Sequence, residues 1–288
     1  MNIIATHTVP AIEQKIRLQE YAISIFPQIN SRSALKKAIA KKLVLLDGER
    51  ASTADWIQPG QKIELLEDKF QQRKIFKFLL EVLYEDEYLA VVHKPSGIPT
   101  NGNYFRTLEN ALPHNLSVSN SEDALRYPVP VHRLDNPTAG IILVAKTRIV
   151  QQILHSAFEN KSILKTYLAL VHGQLQSVVT QTASINGKAA TTIFEPVDNF
   201  EIEDEIFSLV KAKPITGRTH QIRIHLSDMS FPIVGDSIYG IEEGYFKNKN
   251  LYLFSSGISF GHPITSEEMK FELKLPKRFR NLTRHQLS

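Results

Sequence analysis

The residues best suited to chemistry lie in two short runs. The first, Val131 to Thr147, reads VHRLDNPTAGIILVAKT and sets one carboxylate, Asp135, in a polar turn directly before an apolar segment. Arg133 stands two positions upstream. A lone carboxylate can serve as nucleophile or as general base, although most aspartates in turns hydrogen-bond their own backbone. The second run, GRTHQIRIHL from Gly217 to Leu226, carries Arg218, His220, Arg223 and His225. Its two histidines invite a zinc site, but residues five apart stand about 140° apart around a helix. No third ligand at metal-binding spacing accompanies them. A metal-dependent hydrolase is therefore disfavoured, and neither a metal nor a cofactor is expected.

These side chains need a scaffold. IILVAK is apolar on both faces, the pattern of a buried strand. LAVVHK reads as a strand, and so does LKTYLALVHG, which puts Lys165, Tyr167, Ala169 and Val171 on one face. RIVQQILHSAFENKS spaces Ile149, Ile153, Leu154, Ala157 and Phe158 as one helix. Thr219 is placed to cap a helix through HQIRIHLSDM, with Ile222, Leu226 and Met229 toward the core and Arg223 free to face a cleft. Many strands with few helices predict an α+β domain over residues 81–288, built on a mixed, largely antiparallel sheet flanked by helices. A dinucleotide fingerprint and a phosphate loop are both missing from the sequence.

Residues 1–66 have a rhythm of their own. Ser31 can cap a helix, SRSALKKAIAKKLV, with Leu35, Ala38 and Ile39 on one face and Lys36, Lys37 and Lys41 largely on the other. Asn30 to Lys42 holds five basic residues and no acid. VLLDGERA and PGQKIELL then read as strands joined through turns, which makes a second, small α+β domain. Residues 67–80 are expected to be a linker. The whole chain has 288 residues, 42% hydrophobic and 22% charged, with a net charge of +4 and no cysteine. That composition is globular, excludes disulfides and thiolate sites, and permits a polyanionic partner without requiring one. No apolar run approaches the roughly 18 residues that span a bilayer, and the first residues lack a secretory pattern. A cytoplasmic monomer without a membrane partner is the expectation.

VHRLDNPTAGIILVAK resembles the signature of the RluA-type RNA pseudouridine synthases. VLYEDEYLAVVHKPSGIPT, LKTYLALVHG, GRTHQIRIHLSDMSFPIVGDSIYG and SFGHPI match the same family in the same order, across residues 81–275. The first domain is similar to the small RNA-binding domain of the ribosomal protein S-four type. It matches through Arg17-Leu18, Ser31-Arg32-Ser33, the basic helix, a Val-Leu-x-Asp-Gly turn and a Pro-Gly-x-x-Ile ending.

The resemblance implies a pseudouridine synthase catalytic domain that isomerises chosen uridines in structured RNA without a cofactor. Large-subunit ribosomal RNA is the expected substrate, with transfer RNA as the alternative; a non-catalytic RNA-binding or ribosome-assembly protein is the rival from another class. The resemblance also implies that Asp135 acts on a flipped nucleotide, Arg223 holds that carboxylate charged and oriented, and Tyr167 packs on the base. Arg133 would fill the space the base leaves. His132, Arg218, His220 and Gln221 would contact RNA beside it, and Arg32, Lys36, Lys37 and Lys41 would grip phosphates. Two departures from the family pattern stand out: Thr138-Ala139-Gly140, where Thr-Ser-Gly is usual, and Phe254-Ser255, where His-Ala is common. Gly140 and Gly217 are expected to allow close backbone approach or a positive φ.

Overall fold

The computed structural model describes residues 2–12, 14–23, 25–27, 29, 31–67, 74–241 and 249–284, with side chains as far as 280. The chain divides into two compact units, residues 1–73 and 74–288. Of the stretch expected to be a linker, 68–73 lie outside the described residues. Residues 74–80 pack on the larger unit: Phe76 donates its amide to Asn110, and the Asn115 side chain bonds the backbone of Phe78 and Leu80.

The small unit contains β1 (Ile3–Thr8), α1 (Leu18–Tyr21), α2 (Arg32–Ala40), β2 (Val44–Leu46), β3 (Glu49–Arg50) and β4 (Lys62–Leu66). Its sheet runs β1-β4-β2-β3 and is antiparallel throughout. The Ser31 hydroxyl accepts the Ala34 amide and so caps α2 as its sequence predicts. Leu35 and Ile39 are buried with Leu18, Val44 and Ile63, while Arg32, Lys36, Lys37 and Lys41 are exposed.

The larger unit comprises β5 (Glu81–Glu85), β6 (Leu89–Lys94), α3 (Leu108–Asn115), β7 (Ala124–Pro130), β8 (Ala139–Thr147), α4 (Arg148–Glu159), β9 (Leu164–His172), β10 (Val179–Gln181), β11 (Thr192–Ile202), β12 (Glu205–Pro214), α5 (Gln221–Asp228), β13 (Leu253–Gly261), β14 (Glu268–Glu272) and α6 (Lys277–Arg284). The strands run β10-β11-β12-β9-β13-β8-β6-β5, with β14 added to β13 and β7 to β8. Only the β13–β8 pairing among them is parallel, so the sheet is mixed and largely antiparallel, the α+β class that the alternation predicts. Among the described residues no helix is long and apolar enough to cross a membrane.

Strand β8 is the axis of this unit. Ile142 and Val144 enter one hydrophobic cluster while Ile141, Leu143 and Ala145 enter another, so both faces of the strand are buried. Each such aliphatic side chain contributes about 1.5–3 kcal/mol of burial, which fixes the strand and the loop that feeds it. The parallel contact with β13 is tight. Gly140 has φ +134°, and a Cβ there would lie 2.2 Å from the Ser255 carbonyl oxygen, so only glycine fits. Gly217 differs from expectation: it has no positive φ, and a Cβ there would meet nothing nearer than Lys165 Nζ at 3.9 Å.

Candidate active site

Asp135 sits in the loop between β7 and β8, and the sequence on either side holds that loop from several directions. Lys94, at the end of β6, is fully buried and donates its ammonium protons to the carbonyls of Pro95 (3.0 Å), Ile98 (2.7 Å) and Asn136 (3.2 Å). The Thr100 hydroxyl exchanges two 3.1 Å hydrogen bonds with the backbone of Leu134. Ser96 donates to the Pro137 carbonyl, and the Thr138 amide closes the turn onto the carbonyl of Asp135. Lys94 and Thr100 were not singled out by the sequence reading, although both lie in the segment VLYEDEYLAVVHKPSGIPT.

Burial pushes the Lys94 ammonium down to about 8, against the opposing pull of Asp135. The folded value lies below the unfolded 10.5, so between these limits the unfolded chain binds more protons and stability rises with pH. Wild type should therefore gain up to about 3 kcal/mol relative to Lys94→Met between pH 8 and 10.5. Urea midpoints across that window measure it, and a constant difference would refute it.

The second run meets this loop by a route that the sequence reading drew differently. Helix α5 starts at Gln221, and the residue before it is His220, in the left-handed region at φ 55°, with no side-chain cap; Thr219 does not cap it. Instead the Gln221 side chain folds back. Its Oε1 accepts the Thr216 hydroxyl (2.7 Å) and the Arg218 amide (2.9 Å), and its Nε2 donates to Thr191 and Thr192 (both 2.9 Å). Gln221 is thus buried, with its side-chain amide engaged inside the protein, and it lines the cavity beside Asp135. The left-handed turn brings His220 Nε2 to 3.8 Å from Asp135 Oδ2.

Arg223 projects from the first turn of α5 and is buried. Its Nε and Nη2 each bond an Asp236 carboxylate oxygen at 2.7 Å, a bidentate pair, and its Nη1 reaches Asp135 Oδ2 at 3.5 Å. The guanidinium lies over the Tyr239 ring at 5.2 Å, and the Tyr239 hydroxyl meets His220 Nδ1 at 3.2 Å. Burial works against the Arg223 charge, but Asp236 and then Asp135 outweigh it and raise its pKa. Burial likewise opposes the Asp236 charge, and Arg223 with the amides of Ile238 and Tyr239 overcomes it, so its carboxyl stays below the usual range. Asp236 is a residue that the sequence reading missed; its only signal is the GDSIYG segment.

Tyr167 enters from β9, opposite Ser255 of β13 and hydrogen-bonded to its side chain. Desolvation, with Asp135 adding to it, pushes the phenol up to about 12, so Tyr167 is neutral at physiological pH. Lys165, two residues earlier on the same strand, is lowered by burial. His132 is held down to about 3 by burial, and its neutral Nε2 accepts the Leu143 amide at 3.0 Å. His132 thus ties the loop to β8 while lining the cavity. Arg218 is exposed and donates Nε to the Ala189 carbonyl. Arg133 is exposed as well.

Asp135, Tyr167, Lys165, Arg133, His220 and Arg223 all line one cavity of about 550 Å³, within the range of small-ligand sites. The Thr138 hydroxyl in its wall is buried without a hydrogen-bond partner among the described residues. His225 faces elsewhere and bonds Thr192 Oγ1 and the Ala183 carbonyl, both at 3.0 Å. The arrangement sets the Asp135 carboxylate, 20% exposed, against a fixed guanidinium and a neutral phenol. Such a set suits chemistry at an electrophilic carbon with no change of oxidation state.

A family model described as RNA pseudouridylate synthase matches residues 88–228, which run from the start of β6 to the end of α5. The ribosomal large subunit pseudouridine synthase C of Rickettsia felis is 29% identical over 91% of this chain and 94% of its own length. An uncharacterized RNA pseudouridine synthase of Mycoplasma pneumoniae is 32% identical over 86% of each chain. Among solved structures, human RNA pseudouridylate synthase domain containing 1 shares the fold, with a TM-score of 0.58 over 69% of this chain and 84% of that one at 24% identity. On these matches the chain belongs to the RluA-type RNA pseudouridylate synthases, isomerases that make pseudouridine within RNA.

Proposed function

We propose that this protein converts uridine to pseudouridine in large-subunit ribosomal RNA, with Asp135 acting on a uridine that has left its stack. The observation that carries the reading is the meeting of Asp135 with Arg223 at 3.5 Å inside the cavity, from segments 88 residues apart. Extruding a base costs a few kcal/mol, and the cavity supplies what recovers that cost. Tyr167 gives the uracil a ring to pack on. Arg133, exposed at the cavity rim, fills the gap in the RNA by stacking its guanidinium on the neighbouring bases. Asp135 then serves either as nucleophile on the sugar carbon or as base for a sugar proton. The bond from N1 to the sugar breaks, the bond from C5 forms, and the C5 proton is lost while N1 gains one. Atoms and electrons balance without a cofactor.

Ribosomal RNA is favoured by relatives named for the large ribosomal subunit, Rickettsia felis among them. The small unit acts as a phosphate-gripping domain of the S-four type through Arg32, Lys36, Lys37 and Lys41. Phosphate contacts of this kind position RNA without reading sequence. His220 and Arg218 contact the backbone beside the target.

The test incubates the full chain with transcripts of large-subunit ribosomal RNA and, separately, of transfer RNAs, and maps pseudouridine in each. Conversion of one or a few uridines in the ribosomal transcript is expected. Conversion confined to transfer RNA would overturn the substrate, and no conversion in either would overturn the catalytic reading in favour of a binding protein.

A further inference from the structure

A second cavity, of about 580 Å³, is lined by residues on both sides of Asp135 in sequence, Arg133, Leu134 and Asn136, together with Thr100, Tyr104 and Arg106. Arg133 and Leu134 line both cavities, so little more than one side chain separates them. We propose that this second cavity receives an unpaired nucleobase close to the target in the same RNA strand, stacked on Tyr104. This inference rests on the reading of the first cavity as the uridine site.

The lining chemistry points to a nucleotide. Tyr104 and the two guanidiniums of Arg106 and Arg133 share the wall with the amide side chains of Asn101 and Asn136, and none of the lining residues is acidic. A tyrosine ring offers a stacking face to any base, guanidiniums meet phosphate or stack, and amides match the polar edges of bases. Tyr104 is 69% exposed, high for an aromatic residue. Its backbone is nevertheless held firmly. Asn110 donates its amide to the carbonyls of both Tyr104 (3.1 Å) and Phe105 (2.9 Å), and the Phe105 ring packs edge-on against Phe76 at 5.6 Å. Gly102, at φ +128°, lies beside the ring: an added Cβ would stand in ordinary contact with it, at 3.5 Å. An aromatic side chain anchored by its main chain and presented to solvent is a prepared stacking platform, whereas a core residue would be covered.

The cavity also communicates with the chemistry. Thr100 lines it and is the residue whose hydroxyl fastens the backbone of Leu134, next to Asp135. A base seated there would brace the strand on both sides of Arg133, so that extrusion of the uridine is fixed in register.

The experiment compares wild type, Tyr104→Ala and Tyr104→Phe on the ribosomal RNA segment that wild type modifies, with an intact or an abasic nucleotide on either side of the target. Tyr104→Ala should raise KM about tenfold with little change in kcat, and Tyr104→Phe should restore it. An abasic nucleotide at one flanking position should cost wild type a similar factor and cost Tyr104→Ala little more. Unchanged KM in Tyr104→Ala, equal defects in Ala and Phe, or multiplying losses would each overturn the second pocket while leaving the uridine site intact. Should wild type convert no uridine, the proposed function fails first. Binding of the large-subunit transcript then decides the pocket: a weaker Kd for Tyr104→Ala alone supports it, and equal Kd values refute it.

Discussion

Asp135→Asn should abolish pseudouridine formation, lowering the single-turnover rate at least about 1,000-fold, or roughly 4 kcal/mol of barrier. The substitution keeps the shape of the side chain and removes its charge, so it isolates what the carboxylate does. An amide can neither supply a carboxylate nucleophile nor take a proton at neutral pH, and among the described residues the one other carboxylate lining the cavity is Glu159, the last residue of α4. Folding should be nearly untouched. Asp135 is partly exposed and 3.5 Å from Arg223, which already has Asp236 as its closer partner, so loss of this ion pair costs at most about 1 kcal/mol. A thermal melt and an RNA-binding titration beside the rate measurement separate these effects. Activity within tenfold of wild type would remove Asp135 from the reaction.

The second large effect falls on stability. Asp236→Asn leaves the Arg223 guanidinium buried against a neutral amide, with one of its two acceptors replaced by a donor, and removing one member of a buried pair costs about 3–5 kcal/mol. The shift should appear in the urea midpoint with an unchanged slope. Its pH dependence gives an independent check. The Asp236 carboxyl is depressed in the folded protein, so its contribution is complete above the unfolded value of 3.8 and fades as pH falls through the folded value. The gap between wild type and Asp236→Asn should therefore be widest near neutrality and narrow below about pH 4. Activity should fall as well, because Asp236 sets the direction from which Arg223 meets Asp135. A variant as stable as wild type at pH 7 would mean that the pair contributes no more than a surface contact.

What could be read directly from sequence was whatever repeats with a short period. The double-sided run IILVAK became β8, the alternation in LKTYLALVHG put Tyr167 and Lys165 on one face of β9, and Ser31 marked the start of α2. Helix α3 escaped notice because it has eight residues and carries Pro113 in its last turn, which blurs the helical signature. The expected Thr219 cap is not used because the residue before α5 is His220, in the left-handed region with no side-chain cap, while the Gln221 side chain is tied to Thr191 and Thr192, about thirty residues upstream. Nothing local could reveal that partner. The same holds for Lys94, whose three carbonyl partners include Asn136, and for Asp236 beneath Arg223. The two departures from the family pattern also gain meaning only in three dimensions. Ala139 and Phe254 are register partners on the parallel pair β8 and β13, and the neighbouring Ser255 brings a hydroxyl to Tyr167. A hydroxyl missing from one strand thus stands beside one gained on the next.

The loop that bears Asp135 is fastened from within the protein by Lys94, Thr100 and Ser96. On the proposed reading, a carboxylate held in this way does not bend to suit its substrate, so the work of adjustment passes to the nucleic acid. Selection among uridines would then follow how cheaply each one can be drawn out of its surroundings. Local softness of the RNA, more than the letters around the target, becomes the quantity that such an enzyme measures.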